Sequence, residues 1–529
     1  MTDLFLPLNP VPNEVEWRML DNSGVNGAGP WGATQTISRP GNRWACRLTW
    51  TNLRNADRHK LMAFVASLAG RANRAWIVDV SANRRGTMSA PELFTNADFS
   101  NGTTGWTPSN ATLTNMGGAI RLTATTSGIN VQFYQAAVVT TLIPYALRSF
   151  LRDGSRTAGL SIGRFISNGV DGADNDYGTA RGLGTKVAVP TAGSDGKYPI
   201  VFASSSGFTA GDFADVLYTS LARCLLVDNG PNGLTYSKDF SNAAWTKVGC
   251  SCGNSGNAAP DGLTDVQYLL EDTSTGPHYV VQATGTTVSS DATDCAYSVS
   301  IKAGLRGWVL LQIQETTGST NASCYFNSTT GAIGTIVTGA NWSNVRAFSV
   351  AQGNGYFRFS IVARKTNAAT GIKGNHAAAT ADNVSSYTGS SASNALYHWG
   401  ASIAASSVPI RLTQTTSAAA AAAAQTGSAL YVKGGPASMA GALAAGDMVE
   451  VITGSTTQML RLTADLDFDA AGLGYMQFEH ALRVSPADNA AIIVEKPAVK
   501  MMLNEDAAGW PTRPGMFSDF SLEFVEAIT

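Results

Sequence analysis

Apolar and polar residues alternate along most of the chain, and one stretch follows helical spacing instead. Alternation in "WACRLTW" (44–50) predicts a strand, and "AWIVDV" (75–80) predicts another. Between them, five apolar residues recur at the spacing of a helix: Leu61, Met62, Phe64, Val65 and Leu68. Asn55 or Asp57 is placed to cap this helix, and Gly70 is placed to end it. The pattern therefore predicts a strand, one amphipathic helix and a second strand near the start of the chain.

From about residue 92 to residue 412, helical spacing nearly vanishes. Short alternating runs lie between turns rich in Gly, Asn, Ser and Thr, as in "GAIRLTA", "YSVSIKA", "WVLLQIQE" and "YFRFSIVA". These runs are rich in β-branched and aromatic residues, which is typical of β-sandwiches. The fold class is predicted to be mainly β.

A repeated phrase divides this β-rich region into two modules. "TNADFSNGTTGWT" (95–107) and "TYSKDFSNAAWTK" (235–247) share Asp-Phe-Ser-Asn followed by Trp-Thr. The turn-rich "VDNGPNG" (227–233) lies just before the second copy. We therefore predict a first sandwich over 91–228 and a second over 229–413, each beginning near its copy of the phrase.

The remaining segments indicate one further domain that is built from both ends of the chain. Seven alanines (418–424) mark 414–427 as a linker, which is either a short helix or a spacer. Beyond it, alternating runs continue to "FSLEFVEAI" (520–528) in a charged, turn-poor style that resembles residues 1–90. Because insertions are tolerated at surface loops, we predict one outer domain from 1–90 and 428–529, with the two sandwiches inserted.

Composition narrows the classes of partner. The 529 residues require several hydrophobic cores, and 44% are apolar whereas only 14% are charged, which is a folded composition. The formal net charge is −2 with no block of basic residues, so neither nucleic acid nor an anionic membrane is an expected partner. No apolar run approaches the ~18 residues of a membrane span, and the N-terminus lacks the pattern of a signal peptide.

No constellation of residues indicates catalysis, a cofactor or a metal. The five histidines are scattered, and "CSC" (250–252) lacks the spacing of a zinc or redox pair, so the cysteines are expected to be mostly reduced core thiols. Asp171, Asp174 and Asp176 form an acidic turn that is either an ordinary turn, which we favour, or a calcium site. "GLSIG" (159–163) fits a nucleophile elbow, but the turn residues after it forbid the required helix. We expect a protein that is not an enzyme.

Three tryptophans are the remaining candidates for a binding role. Exposed aromatic rings on sandwich loops are a usual surface for stacking sugar rings. Trp106 and Trp245 recur at equivalent places in the two modules, and for both a role in the core is the favoured alternative. Trp342 lies between turn residues and is the one of the three that we expect to be most exposed.

The second module resembles a domain that is widespread in bacteriophage tail and virion proteins. The resemblance rests on "LTYSKDFSNAAWTK" (234–247), "YSVSIKAGLRGWVLLQI" (297–313), "GYFRFSIVA" (355–363) and "ALYHWGASI" (395–403), in the expected order. The repeated phrase also resembles the opening of carbohydrate-binding β-sandwiches. The resemblance implies two carbohydrate-binding-like modules with a jelly-roll-like fold.

The flanking segments are similar to the two halves of the hub domain in distal tail proteins of long-tailed phages. The matching residues lie in 29–50 and in 434–528. The resemblance implies a small β-barrel with one helix that forms a ring, usually a hexamer, between the tail tube and the tail-tip or baseplate proteins. It also implies assembly in the host bacterial cytoplasm and outward modules that contact host surface polysaccharide.

Two alternatives stay open at this point. One is a soluble adhesin whose role is host-glycan binding alone. The other is a glycan-degrading enzyme with two binding modules, whose catalytic acids would come from the outer domain: Asp447, Glu450, Asp465, Asp467 and Glu479. For ring formation, strands near "QMLRLTADL" and the C-terminal "FSLEFVEAI" are the expected sites of pairing between subunits.

Overall fold

The protein is mainly β and contains one α-helix within the residues that the structure describes. This computed structural model describes residues 3–21, 23–26, 35–38, 41–80, 85–127, 131–137, 139–140, 143–152, 182–188, 197–202, 209–284, 293–316, 320–366, 371–454, 456–505 and 517–527. The mainly-β fold class predicted from the alternating pattern is therefore confirmed. The acidic turn with Asp171, Asp174 and Asp176 lies outside the described residues.

The first part of the chain carries one helix and strands β1 to β14. In chain order these are β1 Asp3–Phe5, β2 Glu14–Leu20, β3 Ser23–Asn26, β4 Gln35–Ser38, β5 Arg43–Arg54, α1 Asn55–Leu68, β6 Arg74–Val78, β7 Thr107–Ser109, β8 Ala111–Asn115, β9 Ile120–Ala124, β10 Val131–Ala136, β11 Tyr145–Arg152, β12 Gly182–Ala188, β13 Lys197–Phe202 and β14 Phe213–Val227.

The second part carries strands β15 to β34. They are β15 Thr246–Val248, β16 Cys250–Asn254, β17 Gln267–Glu271, β18 Thr275–Ala283, β19 Asp294–Ala303, β20 Trp308–Glu315, β21 Asn321–Asn327, β22 Ile333–Thr338, β23 Trp342–Ala351, β24 Phe357–Lys365, β25 Ile372–Ala379, β26 Ser386–Thr388, β27 Leu396–Ala405, β28 Ala429–Lys433, β29 Met448–Thr453, β30 Thr456–Arg461, β31 Gly474–Gln477, β32 Ala491–Ile493, β33 Ala498–Leu503 and β34 Phe517–Glu526.

Both ends of the chain meet in one six-stranded sheet, which we call the terminal sheet. Its strand order is β1-β6-β33-β34-β5-β2, and β1 is parallel to β6 whereas the other neighbours are antiparallel. Residues 3–78 therefore supply four strands and residues 498–526 supply two. In the described part of the chain β1 and β2 are its two edges, so the sheet is open there, and closure into a hub barrel stays a prediction.

The helix α1 lies where its apolar spacing predicts it. Leu61, Phe64 and Leu68 are buried against the terminal sheet, in a core that also contains Trp44 and Trp50. The helix ends because Ala69 adopts a left-handed conformation (φ 49°), and Gly70 follows at φ 66°.

The expected side-chain cap of this helix is not formed. Arg54 occupies the N-cap position without a side-chain hydrogen bond to the first turn. The carboxylate of Asp57 instead pairs with the ammonium of Lys60, three residues later and 3.2 Å away. The start of α1 is set by the end of β5 rather than by a cap.

A ten-stranded sheet joins the first sandwich to residues 429–494, and the long strand β14 connects the two parts. The first part of β14 pairs with β9 and β11, and its last residues pair with β28 and β32. Residues 429–494, which we call the C-terminal lobe, have their own core, to which Leu225 and Val227 of β14 also contribute. The C-terminal lobe is thus not part of the terminal sheet, which takes only β33 and β34 from the predicted outer-domain segment 428–529.

The two sandwiches have separate cores. In the first, the three-stranded sheet β13-β10-β7 faces the sheet that contains β9, β11 and β14, around a core with Phe99, Trp106 and Phe133. In the second, the sheet β15-β18-β25-β20-β21-β22 packs on β16-β17-β27-β19-β24-β23. Its main core is drawn entirely from residues 234–403.

The alanine-rich segment is extended and forms no helix. Ala420 forms an isolated bridge with Asn232, and the backbone N–H of Ala423 donates to the carbonyl of Asn229 at 3.0 Å. Most of its alanine side chains are exposed. Of the two alternatives predicted for 414–427, a short helix or a spacer, the structure shows an extended spacer.

Candidate functional site

The repeated phrase builds the same turn in both sandwiches. Asp98 accepts hydrogen bonds from the backbone N–H of Ser100 at 3.1 Å and from its hydroxyl at 2.8 Å. Asp239 accepts the same two bonds from Ser241. The phenylalanine after each aspartate is buried in its core. The repeated phrase therefore specifies a tight turn that contains a buried phenylalanine, and its aspartate and serine side chains hydrogen-bond to each other within that turn.

Trp106 and Trp245 lie in equivalent buried places. Trp106 is 6% exposed, and its indole N–H donates to the carbonyl of Asn96 at 3.3 Å. Trp245 is 1% exposed, and its indole N–H donates to the carbonyl of Tyr236 at 3.1 Å. Each ring closes one end of its sandwich core, which agrees with the core role favoured from the sequence.

Trp342, expected to be the most exposed of the three, is also buried. It is 5% exposed and belongs to the core of the second sandwich, with the ammonium of Lys365 5.4 Å from its ring centre. The turn residues around it sharpen the chain reversal into β23 and direct the ring inward. None of the three indoles therefore presents a face on which a sugar could stack.

The acidic residues of the C-terminal lobe are engaged in structural contacts. Both oxygens of Asp447 accept backbone N–H groups, from Arg85 at 2.7 Å and from Gly86 at 3.0 Å. Glu450 is buried against Arg148. The other three acids also have partners: Asp465 accepts from the Ala445 N–H, Asp467 accepts from the Gly441 N–H, and Glu479 pairs with Arg461. All five candidate acids therefore have structural hydrogen-bond or ion-pair partners.

Three rings form a buried polar chain in the second sandwich. The Tyr297 hydroxyl lies 2.8 Å from Nδ1 of His376, whose Nε2 lies 2.7 Å from Nδ1 of His398. Burial lowers the pKa of His376 to about 3, and burial together with the neighbouring His376 lowers the pKa of His398 well below its usual value. Both histidines are fully buried, so the lowered pKa values keep these rings neutral.

Two of the cysteines, Cys250 and Cys252, interact through a side-chain hydrogen bond that lowers the pKa of the Cys250 thiol. All six cysteines are free, and burial raises the pKa of the Cys224 and Cys295 thiols to about 12. Among the residues described, no three His, Cys, Asp or Glu side chains lie close enough together to hold a metal ion.

A cleft of about 320 Å³ separates the terminal sheet from the first sandwich. Its walls are mostly apolar and include Phe5, Phe64 and Phe150. The charged groups at its margin are already paired: Asp3 contacts Lys500 at 2.7 Å, and Lys60 contacts Asp57. Asp98, the third charged residue of the lining, accepts hydrogen bonds from Ser100.

Two tyrosines of the C-terminal lobe form an exposed aromatic pair. Tyr431 on β28 and Tyr475 on β31 are direct cross-strand partners, with ring centres 4.9 Å apart and planes inclined by 50°. They are 42% and 47% exposed, and they are the most exposed aromatic side chains in the described part of the chain. We call them the tyrosine pair.

Polar groups surround the tyrosine pair. The Arg411 guanidinium lies 4.3 Å from the Tyr431 ring centre, and it faces the carboxylate of Asp228 at 3.8 Å. The Gln425 side-chain oxygen accepts the backbone N–H of Tyr431 at 3.0 Å. Gln477 lies two residues after Tyr475, on the same exposed face of β31. An exposed aromatic surface with polar groups at its rim is typical of a site that binds polar ligands with apolar faces.

Sequence reasoning missed the tyrosine pair, although part of the signal was present. Tyr431 alternates with buried Leu430 and Val432, and Tyr475 precedes buried Met476. This alternation places each tyrosine on the outer face of its strand. Only the pairing of β28 with β31 brings the two rings together.

The sequence matches no family model and no curated protein. No helix in the described ranges is long and apolar enough to cross a bilayer.

Proposed function

We propose that this chain is a structural component of a bacteriophage tail tip: a ring-forming distal tail protein that links the tail tube to the tip or baseplate. The observation that carries the proposal is the terminal sheet, in which the two ends of the chain interleave with one helix packed against them. A hub of this kind leaves the intervening residues free to project as separate modules. The distal tail proteins that the flanking segments resemble are organised in this way.

Ring formation requires strand edges or faces that are open to a second copy. The C-terminal strand β34 was expected to pair between subunits, but it lies between β33 and β5, and its last residues, 524–526, pair with β33. Within the described residues β1 and β2 are the edges of the terminal sheet, and β30, which contains the first four residues of "QMLRLTADL", is an edge of the ten-stranded sheet. The proposed contacts between subunits therefore involve β1, β2 or β30.

The native mass of the purified full-length protein tests the ring. Six copies of the 55.2 kDa chain, about 331 kDa in all, are expected by sedimentation equilibrium, with rings in negative-stain images. A single-chain mass at every concentration, together with images that contain no ring, contradicts the proposal. The partners of the ring would be the tail tube and tail-tip proteins, and assembly would take place in the host bacterial cytoplasm.

A soluble host-glycan-binding adhesin is the second candidate function. The exposed tyrosine pair favours the adhesin, because both tyrosines belong to one chain and the pair is therefore complete in a monomer. A monomer that binds an immobilised polysaccharide supports the adhesin and excludes the ring as the functional form. The enzyme alternative has no comparable support, since each candidate acid in the C-terminal lobe already has a structural partner.

A further inference from the structure

We infer that the tyrosine pair is a saccharide-binding site that takes the apolar face of a neutral pyranose. The site lies on the C-terminal lobe, outside both carbohydrate-binding-like sandwiches. The inference does not depend on ring formation, since Tyr431 and Tyr475 pair within one chain.

Exposure is the first argument. Large aromatic side chains are normally buried because each removes extensive apolar surface from water. The described tryptophans and phenylalanines are buried or partly buried, whereas Tyr431 and Tyr475 leave nearly half of their surface in solvent, side by side. A ligand with an apolar face would remove that surface from water.

The inclination of the rings is the second argument. The two planes meet at 50°, so together they form a bent surface instead of one flat plane. A flat apolar partner such as a second sheet would contact only one of the two tyrosine rings, whereas a puckered pyranose can contact both tyrosines. The C–H groups on one face of a pyranose stack on an aromatic ring, and its equatorial hydroxyls then point toward the rim.

The rim supplies hydrogen-bonding groups for those hydroxyls. Gln477 is exposed on the same strand as Tyr475, and each tyrosine carries its own phenolic hydroxyl. Tyr431 is held in place because its backbone N–H donates to the Gln425 side-chain oxygen and the Arg411 guanidinium covers one face of its ring. The aromatic surface is therefore ordered before a ligand arrives, which lowers the entropy cost of binding.

The charges near the pair favour a neutral sugar over an acidic one. Arg411 faces Asp228 at 3.8 Å, and Lys433 pairs with Asp488 at 3.1 Å. Each nearby cation is thus opposed by a carboxylate, and no net positive charge remains to attract an anionic polysaccharide. Binding should therefore persist when salt is raised, because stacking and neutral hydrogen bonds are weakly screened.

The test uses the full-length protein on an array of neutral and acidic bacterial polysaccharides, followed by calorimetric titration with the best neutral oligosaccharide. The variants are Tyr431→Ala, Tyr475→Ala and the double substitution, with Tyr431→Phe to retain the ring. Ile336→Ala is the matched control, because Ile336 is 43% exposed on β22 of the second sandwich. Circular dichroism melts verify that each variant is folded.

We expect binding to a neutral saccharide that survives high salt, falls about tenfold with each alanine substitution, and is lost in the double variant. Tyr431→Phe keeps the ring but loses one rim hydroxyl, so it should weaken binding less than Tyr431→Ala, whereas Ile336→Ala should bind within about twofold of the unchanged protein. Any of three results overturns the inference: no binding to any neutral saccharide, equal binding by the double variant, or binding only to acidic polysaccharides in low salt. If the double variant instead lowers the native mass, the pair is a contact between copies and the saccharide site is rejected.

Discussion

At the scale of single residues, buried polar groups fix how the parts of this chain are connected. Asn232, in the turn-rich segment between the two sandwiches, donates to the carbonyls of Ala401 and Thr413, and its oxygen accepts the backbone N–H of Ile403. It is fully buried. The segment is therefore a junction that hydrogen bonds hold in place. A buried amide that lost these partners would carry a large desolvation cost.

A buried ion pair between Arg148 and Glu450 is a second connection of this kind. Both side chains are buried, with Nη2 and Oε2 2.7 Å apart, and Glu450 also accepts the backbone N–H of Ala498. It links the first sandwich, the C-terminal lobe and the start of β33. Burial raises the pKa of Glu450 in spite of the neighbouring guanidinium, which shows how much desolvation the pair must offset.

Removing one partner of this pair should be far more damaging than removing both. Glu450→Ala leaves Arg148 charged and buried, so we expect a loss of about 3 to 5 kcal/mol in the free energy of unfolding. The double variant Arg148→Met with Glu450→Leu should recover most of that loss. Urea unfolding midpoints measure both.

The exposed pair between Arg18 and Glu523 is the control for this prediction. Glu523→Ala should cost no more than about 1 kcal/mol, since water screens exposed charges. Equal losses of unfolding free energy for Glu450→Ala and Glu523→Ala would show that burial does not determine how much the Arg148–Glu450 pair contributes to stability.

The neutral histidines of the second sandwich should make it sensitive to acid. His376 has a pKa of about 3 when folded, whereas a histidine in an unfolded chain titrates near 6.5. As the pH falls below about 6.5 the unfolded chain takes up the proton first, so stability is full above that pH and decreases toward pH 3.

Between about pH 6.5 and pH 4.5, His376 alone should cost about 2 to 3 kcal/mol of unfolding free energy. His398 acts in the same direction. His376→Gln retains a donor and an acceptor but does not titrate, so its loss across this range should be smaller. Urea midpoints at the two pH values measure the difference, and parallel losses in both proteins would rule out His376 as the source.

At the scale of elements, pairing partners outweigh local propensity. Alanine is the best helix former, yet the run at 418–424 is extended because its backbone bonds to the junction at 229–232. In the other direction, α1 forms without a side-chain cap because its apolar face covers the terminal sheet.

A proline in the alanine run distinguishes the extended segment from a helix. Ala422→Pro should cost less than about 1 kcal/mol, whereas inside a helix it would cost about 3. Ala423→Pro is the matched control: it removes the N–H that donates to Asn229, so its cost should be clearly larger. Urea midpoints of both variants provide the measurement. A large and equal cost at both positions would contradict the extended conformation.

At the scale of the whole molecule, the stretches of chain that form one domain enclose the stretches that form the next. It begins in the terminal sheet, passes through the first sandwich and the second, returns to extend the ten-stranded sheet, and ends in the terminal sheet. The cores around Trp44, Phe133, Phe359 and Val449 are each drawn from different stretches. Each sandwich has a main core drawn from its own stretch, 94–221 in the first and 234–403 in the second, whereas the core of the terminal sheet combines residues from both ends of the chain.

Much of this arrangement could be predicted from the sequence. Helical spacing located α1 almost to the residue, and the repeated phrase gave the equivalent turns at Asp98 and Asp239. The candidate site could not be found in the same way. Tryptophans between turn residues were the natural candidates, but closing a sandwich requires large rings, and all three are buried.

The sequence by itself determined the mainly-β class, the single helix and the repeated turns, because side-chain periodicity and turn chemistry act over a few residues. Tertiary structure alone decided that β14 joins two cores, that 429–494 form a lobe, and that Tyr431 meets Tyr475. These features depend on strand register between segments far apart in the chain. A local pattern specifies which face of a strand is buried, but it does not specify which strand lies beside it.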